Sequence, residues 1–294
     1  MVWWIIIRII MTAISFIQNV LFLFVLVRNK HLAKRKRITY HVANIAVADA
    51  LYGLGRFCCN IVWLHGNGAR SEIYLSFGVM WDIGYLASLA AVFLMTIERS
   101  IVITKPLIWN EMLPRKRMLL FMLCSWKAVV TLLAVYIYLW LIQYTWGEGS
   151  TVVMVINTLQ TLFLLFTAAV NIYMFKKLRK KDGLADSQQS TRQLPETVNH
   201  QKSIHLRHKA SILVLLLAVI MIVTCLPISL LRMIGNIGDA YTLRCNLYTN
   251  STMFNVFVLL ENLNFIVNPL VYIWKDRIYR NAFYRTFKIK TAQF

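Results

Sequence analysis

Long apolar stretches alternate with short polar stretches along almost the whole chain. Each apolar stretch contains about 20 residues or more, the length that an α-helix needs to cross the hydrocarbon core of a bilayer. Seven such spans are predicted, at about 3–28, 40–64, 75–103, 118–144, 151–175, 210–237 and 252–274. The pattern therefore predicts an all-α membrane protein, a single seven-transmembrane helix bundle that occupies residues 1–274.

Two polar segments stand apart from the spans. Segment 182–201 contains Gly183 and Pro195 among many polar side chains and is predicted to be a flexible loop. Residues 275–294 begin with alternating basic and aromatic positions. That alternation is typical of an amphipathic helix lying on the inner face of a membrane, and a short cytoplasmic tail is expected to follow it.

The formal net charge of +20 would suggest a nucleic-acid partner in a soluble protein. Here the basic residues concentrate in the segments 28–39, 105–117 and 176–209 and in the tail after 275. Basic loops stay cytoplasmic, so the N-terminus is predicted outside and the C-terminus inside, in the plasma membrane. Membrane lipids are expected as partners and nucleic acid is not. The sequon at Asn250 predicts glycosylation of an outer loop.

A small set of polar side chains falls inside the spans, where burial in hydrocarbon is costly. The set consists of Asn19, Asp49, Ser88, Asn264 and Asn268. Steps of three and four residues along the third and seventh spans predict that these helices turn polar stripes inward. Carboxylate, hydroxyl and amide oxygens suit a small hard cation, so a sodium ion at Asp49 is one interpretation. A polar network that only fixes helix packing is the other, and no organic cofactor is expected.

Pro227 and Pro269 are the only prolines within the predicted spans. A proline inside a helix frees a backbone carbonyl and bends the helix. Each bend is interpreted either as a pivot for helix movement or as a static feature of packing.

Several short motifs follow one another in the order of the spans. They are Asn44-Ile45-Ala46-Val47-Ala48-Asp49 in the second span, Glu98-Arg99-Ser100 in the third, Trp126 in the fourth, Pro227 in the sixth and Asn268-Pro269-Leu270-Val271-Tyr272 in the seventh. Together with Asn19 they resemble the motifs of rhodopsin-like (class A) G-protein-coupled receptors over nearly the whole chain.

The resemblance implies a receptor rather than an enzyme. An extracellular ligand would favour outward movement of the sixth span, and a heterotrimeric G protein would bind in the crevice that this movement opens. The resemblance also implies that the polar set forms a sodium pocket and that Glu98 holds Arg99 in the resting state. It assigns coupling and activation to Glu98, Arg99, Tyr173, Cys225, Pro227, Pro269 and Tyr272.

The chain departs from the family pattern at several switch and anchor positions. Tyr74 replaces the usual cysteine of the third span and Leu165 replaces the usual proline of the fifth, so the common disulfide is not expected. Cys225 stands in place of a tryptophan. Arg207 stands where an acidic partner for Arg99 is usual, which predicts that this lock cannot form and that basal signalling is raised.

These departures are similar to those of the branch that contains melanocortin, cannabinoid and lysophospholipid receptors. An opsin is disfavoured because Asn262 occupies the retinal-lysine position, and an amine receptor because Trp81 occupies the aspartate position. Cys245 is expected either to pair with Cys58 or Cys59 or to stay free.

Charged and aromatic side chains in the outer halves of the spans are the candidate ligand-binding residues. They are Arg56, Trp81, Asp82, Tyr85, Arg232, Glu261 and Asn262. A cavity of mixed sign suits a peptide or zwitterionic ligand, and a lipid remains open. The alternative is that Glu261 pairs with an arginine and only holds the bundle together.

Two other function classes remain open. The altered residues Ser100 and Cys225 are compatible with a receptor-like decoy or scaffold that no longer couples. The network at Asp49 is compatible with an ion or proton pathway, although its polar groups cluster rather than line a full path.

Overall fold

A computed structural model describes residues 2–29, 32, 37–65, 72–105, 114–146, 150–189, 198–237 and 252–288. Its seven long helices are α1 (Val2–Arg28), α2 (Arg37–Leu64), α3 (Glu72–Thr104), α4 (Arg115–Trp146), α5 (Ser150–Gln189), α6 (Val198–Ile237) and α7 (Thr252–Lys275). A short helix, α8 (Arg277–Phe287), follows. All seven are long and apolar enough to cross a membrane, and the described residues contain no strand. The predicted fold class is confirmed.

The predicted loop 182–201 is helical at both ends, which the sequence analysis did not anticipate. α5 continues through Gln189 and α6 begins at Val198. The hydropathy of the sequence predicts where a helix leaves the hydrocarbon core of the membrane. The helix itself ends only where its backbone hydrogen bonds are interrupted. Leu, Lys, Arg, Ala and Gln favour helix, and one glycine such as Gly183 costs only about 1 kcal/mol.

The helices pack so that α1 closes the ring against α7. Pro269 lacks an N–H, so the carbonyl of Phe265, four residues earlier, loses its partner within the helix. Asn19 Nδ2 donates to this carbonyl oxygen at 2.9 Å. Gln18 donates to the next carbonyl, that of Ile266. The first helix therefore supplies the hydrogen bond that Pro269 removes from the seventh helix.

The closest backbone approach joins α2 to α3. A Cβ atom added at Gly84 would lie 2.3 Å from Tyr52 N and 2.7 Å from Ala48 O, and one added at Gly55 would lie 2.5 Å from Trp81 N. Small residues allow such contact between membrane helices, where packing rather than the hydrophobic effect drives association.

α8 is fixed at both ends and along its inner face. Asp276 caps its N-terminus by accepting a hydrogen bond from Ile278 N at 2.9 Å. Asn29 Nδ2 of α1 donates to Thr286 Oγ1 at 2.8 Å. Tyr279 is buried against Phe22 and Tyr272. The amphipathic helix predicted after the last span is thus present and is tied to α1.

Candidate functional site

Asp49 lies at the centre of the polar network and is fully buried. Ser88 Oγ donates to Asp49 Oδ1 at 2.6 Å, and Asn268 Nδ2 donates to Asp49 Oδ2 at 2.8 Å. The contacts join α2, α3 and α7. The structure thus brings together three of the five predicted network residues directly.

Asn19 and Asn264 complete the set with unsatisfied oxygens. Within the described part of the chain, the side-chain oxygens of both residues are buried without a hydrogen-bond donor. Buried amide oxygens almost always have a partner, so the two orphan acceptors need a donor or a cation. A carboxylate, a hydroxyl and amide oxygens fit a sodium ion. The described residues hold no group of three or more His, Cys, Asp or Glu side chains that could bind a softer metal.

The inward stripes predicted on α3 and α7 are confirmed. On α3 the buried members are Gly84, Tyr85, Ser88, Val92, Met95 and Arg99, with Trp81 partly buried. On α7 the buried members are Glu261, Asn264, Phe265, Asn268 and Tyr272. Spacing alone located the interior face of both helices.

At the end of the bundle where α2 begins and α3 ends, Glu98 lies closer to a histidine than to Arg99. Glu98 Oε2 is 2.6 Å from His41 Nε2, whereas Glu98 Oε1 is 4.0 Å from Arg99 NH2. All three residues are buried. Arg99 is therefore not held by Glu98 alone, as the resemblance implied, because the imidazole of His41 on α2 lies closer to the Glu98 carboxylate than Arg99 does. Sequence reasoning missed His41, although it lies eight residues before Asp49 on the interior face of α2.

The two predicted activation tyrosines occupy different environments. Tyr272 is fully buried and stacks on Phe22 with ring centroids 5.4 Å apart. Tyr173 is 48 % exposed on the outside of α5, where Lys177 lies over its ring at 5.8 Å. The structure does not bring Tyr173 to Arg99. The side chain of Arg207 lies outside the described residues.

Cys225 is fully buried within α6, two residues before Pro227. Its sulfur lies 3.8 Å from Thr224 Oγ1. Further along the same helix, Ser229 Oγ and Thr161 Oγ1 lie 2.6 Å apart and join α6 to α5. A small thiol thus occupies the interior position where the family usually has a large ring.

The half of the bundle where α6 ends and α7 begins contains a two-pronged ion pair. Arg232 NH1 and NH2 donate to Glu261 Oε1 and Oε2, both at 2.9 Å. Glu261 therefore pairs with an arginine, as one of the two interpretations of the sequence predicted. Asp82 lies within electrostatic range of Arg232 and Arg56.

Aromatic rings surround these charges. Arg56 Cζ lies 3.7 Å from the centroid of the Trp81 ring. Tyr52 stacks on Phe265 with centroids 3.6 Å apart, and its hydroxyl donates to Asn262 Oδ1 at 2.7 Å. Tyr52 was not among the predicted residues, and its position three residues after Asp49 is the signal that could have found it.

Arg8 is a third residue that sequence reasoning missed, after His41 and Tyr52. It donates to Asn255 Oδ1 of α7, and its guanidinium lies 5.9 Å from the Phe254 ring. Buried residues at steps of three and four lead from it along α1, through Thr12, Ser15, Asn19 and Phe22. This periodicity was present in the sequence and would have placed Arg8 on the interior face.

A separate apolar cavity of about 290 Å³ lies between α3, α4 and α5. Ser125 and Gln160 are the polar residues in its lining. No charged side chain borders it, so it is distinct from the charged cluster.

Three predictions lie outside the described residues: the glycosylation of Asn250, the pairing of Cys245 and the replacement at Tyr74, whose side chain is not described. Cys58 is partly buried and Cys59 is buried near the outer end of α2.

Comparison with known families gives a match over most of the chain. The family model described as "7 transmembrane receptor (rhodopsin family)" matches residues 18–272. The matched region includes the network from Asn19 to Asn268 and ends at Tyr272. No curated protein matches the chain.

Proposed function

This chain belongs to the rhodopsin family of seven-transmembrane receptors, and from that premise we propose that it binds an extracellular ligand and activates a heterotrimeric G protein. Members of this family are receptors and multi-pass membrane proteins. The proposal places the chain in the plasma membrane with its N-terminus outside, because the basic segments then face the cytoplasm.

One observation carries the proposal. Buried polar side chains run along the inner faces of α2, α3 and α7, from Glu261 near the outer end through Asp49 to Arg99 at the cytoplasmic end. Burying an ionisable group in a membrane costs free energy. The presence of such groups at both ends of the bundle therefore favours a functional role at each end. Charge at the outer end suits ligand recognition, and Arg99 suits recognition of a partner at the inner end.

The proposed mechanism is a shift between two packings of α6. Pro227 interrupts the hydrogen bonding of that helix and supplies a pivot. A ligand that prefers the packing with the cytoplasmic end of α6 moved outward would populate it. Arg99, released from its contact with Glu98, would then contact the G protein. A sodium ion held at Asp49 would stabilise the inactive packing.

The test is nucleotide exchange on co-expressed G proteins, measured for the wild type and for Arg99→Ala at matched surface expression. The proposal expects exchange above that of untransfected membranes, and loss of this excess in Arg99→Ala. Arg285→Ala is the matched control because it removes an exposed cytoplasmic arginine from α8, and it should retain the excess.

The other function classes give different results. A decoy or scaffold predicts no exchange by any variant at any ligand tested, and an ion pathway predicts currents that Asp49→Asn abolishes. Either result would contradict the proposal.

A further inference from the structure

Three buried nitrogen donors at the outer ends of α1 and α2 have no acceptor. They are Arg8 Nε, Arg56 Nε and Asn60 Nδ2, and no hydrogen-bond partner for them exists among the described residues. Arg56 and Asn60 are 7 % and 8 % exposed. Donors buried in this way almost always have partners, so three in one place indicate a missing acceptor.

The three donors lie within about one helical turn of one another along the bundle axis. A Cβ atom at Gly53 would lie 2.8 Å from Phe16 N, which fixes the register between α1 and α2. Consecutive spans run in opposite directions, so Arg8 and Asn60, eight and seven residues beyond this contact, differ in height by only ~1.5 Å. Arg56 lies one turn below Asn60 on the same face of α2.

Among the residues that the structure describes, the charges at this level do not balance. Arg8, Arg56 and Arg232 carry three positive charges, and Asp82 and Glu261 carry two negative ones. Glu261 is engaged with both prongs of Arg232. Arg56 lies within electrostatic range of Arg8, and both are cations. Two like charges brought together away from water require an anion to offset their desolvation and repulsion.

Aromatic rings flank the guanidinium groups without neutralising them. The faces of Trp81 and Phe254 lie beside Arg56 and Arg8 respectively. A planar guanidinium stacked on an aromatic ring has its N–H groups pointing outward, parallel to the plane of the ring. In that arrangement it can bind a carboxylate or phosphate group by two parallel hydrogen bonds. The rings also provide an apolar wall for the carbon atoms next to such a group.

We infer that Arg8, Arg56 and Asn60 form a binding site for a carboxylate or phosphate group of the extracellular ligand. That the bound anion is part of an extracellular ligand rests on the proposed function. The existence of an anion-binding site does not. An organic anion would supply the three missing acceptors and the missing negative charge together. Its apolar part would lie along Trp81 and Phe254.

The experiment measures thermal unfolding of the full-length protein in phosphatidylcholine nanodiscs during titration with octanoate, octyl phosphate, octanol and inorganic phosphate. The inference expects a rise in the unfolding midpoint with octanoate or octyl phosphate that octanol does not match. Octanol controls for filling of the apolar cavity between α3, α4 and α5. If inorganic phosphate also raises the unfolding midpoint, a free anion is sufficient to occupy the site. If inorganic phosphate does not raise it, binding also needs the apolar tail.

Arg8→Gln and Arg56→Gln should each weaken the apparent affinity for the anion by about tenfold or more, since a hydrogen bond to a charged group is lost. Arg28→Gln is the matched control: this arginine is on the same helix, lies 5.8 Å from the Phe24 ring and sits at the opposite end. It should leave the affinity unchanged. Asn60→Leu, which removes no charge, carries the same test where an arginine variant does not fold.

Equal stabilisation by octanol and octanoate, or undiminished binding by Arg8→Gln, Arg56→Gln and Asn60→Leu, would overturn the inference. Nucleotide exchange measured on the same preparations separates the two proposals. Stabilisation by the anion without exchange contradicts the receptor function and leaves the site intact. Exchange without stabilisation by any anion overturns the site alone.

Discussion

Asn19 joins two helices with one amide group. Its Nδ2 donates both to Ser15 O of its own helix at 2.8 Å and to Phe265 O of α7 at 2.9 Å. The second bond satisfies the carbonyl that Pro269 leaves free. The Asn19 side chain belongs to α1, but its amide completes the backbone hydrogen bonding of α7.

Asn19→Ala should lower the stability of the bundle by about 1–3 kcal/mol, because a buried carbonyl then has no donor. Thr12→Ala is the matched control, since Thr12 is equally buried on the same stripe but bonds only to carbonyls of its own helix. The measurement is the thermal unfolding midpoint of purified protein. Equal shifts for the two variants would contradict the role assigned to Asn19.

Asp49→Asn should abolish any effect of sodium on basal nucleotide exchange. In the wild type, replacing sodium by N-methylglucamine at constant ionic strength should raise exchange, because the ion favours the inactive packing. The variant lacks the negative charge that a cation requires. Asp82→Asn, which lies outside this network, is the control and should keep the sodium effect. An unchanged sodium effect in Asp49→Asn would disprove the sodium site.

At this scale the sequence located residues wherever helical spacing repeats over several turns. The stripes through Ser88 and Asn268 were predicted because each has five or more members in register. Arg8 and His41 were missed because a lone cation near a helix end has an ordinary explanation, in that its side chain extends to the membrane surface. Their partners, Asn255 and Glu98, are far apart in sequence from them, and only the packing of the helices brings them together.

Among the helices, α2 and α3 have the tightest contact. Their backbones touch at Gly84 and Gly55 near the outer half of the bundle. The usual disulfide at the top of the third span is not expected in this chain, and close packing of α2 on α3 holds that region of α3 instead.

Gly84→Ala should destabilise the protein, because the added methyl group would meet backbone atoms of Tyr52 and Ala48 that cannot move away singly. The expected loss is about 1–3 kcal/mol, seen as a lower unfolding midpoint and lower surface expression. Gly78→Ala is the control on the same helix, because nothing lies within 4 Å of its added Cβ atom. There alanine should be neutral or stabilise by up to about 1 kcal/mol. Similar behaviour of the two variants would contradict the close contact.

The helix ends were harder to predict than the helix cores. The predicted edges follow hydropathy, whereas α5 and α6 extend well past the apolar residues. Which side chains of neighbouring helices meet, such as Tyr52 with Asn262, depends on crossing geometry that no local pattern encodes. The two glycine contacts are a further example of geometry that no local pattern predicts. A glycine in a span can equally lie where an added Cβ atom would meet nothing, as at Gly78.

At the scale of the whole molecule, the activation that we propose needs α6 to separate from α3 at the end of the bundle that holds Arg99. Arg207 lies on α6 and carries the same sign of charge as Arg99. An arginine at this position cannot supply the attraction to Arg99 that an acidic residue would.

Arg207→Glu should lower basal nucleotide exchange, because an acidic group at this position can pair with Arg99 and favour the closed packing. Arg207→Gln is the control that removes the positive charge without adding a negative one, and its effect should be smaller. Both are measured at matched surface expression. Basal exchange that is not reduced in Arg207→Glu would show that repulsion at this position does not raise basal signalling.

The contacts between α1 and α7 also have a consequence for biosynthesis. Arg8, Gln18 and Asn19 enter the membrane with the first helix, yet their partners on α7 come much later in the chain, at sequence separations of 247, 248 and 246 residues. Until the last span has been made, these three side chains lack the partners that α7 supplies. A nascent chain that is stopped before α7 therefore carries a stripe of polar groups whose burial is costly in hydrocarbon, and it differs in this way from the completed bundle.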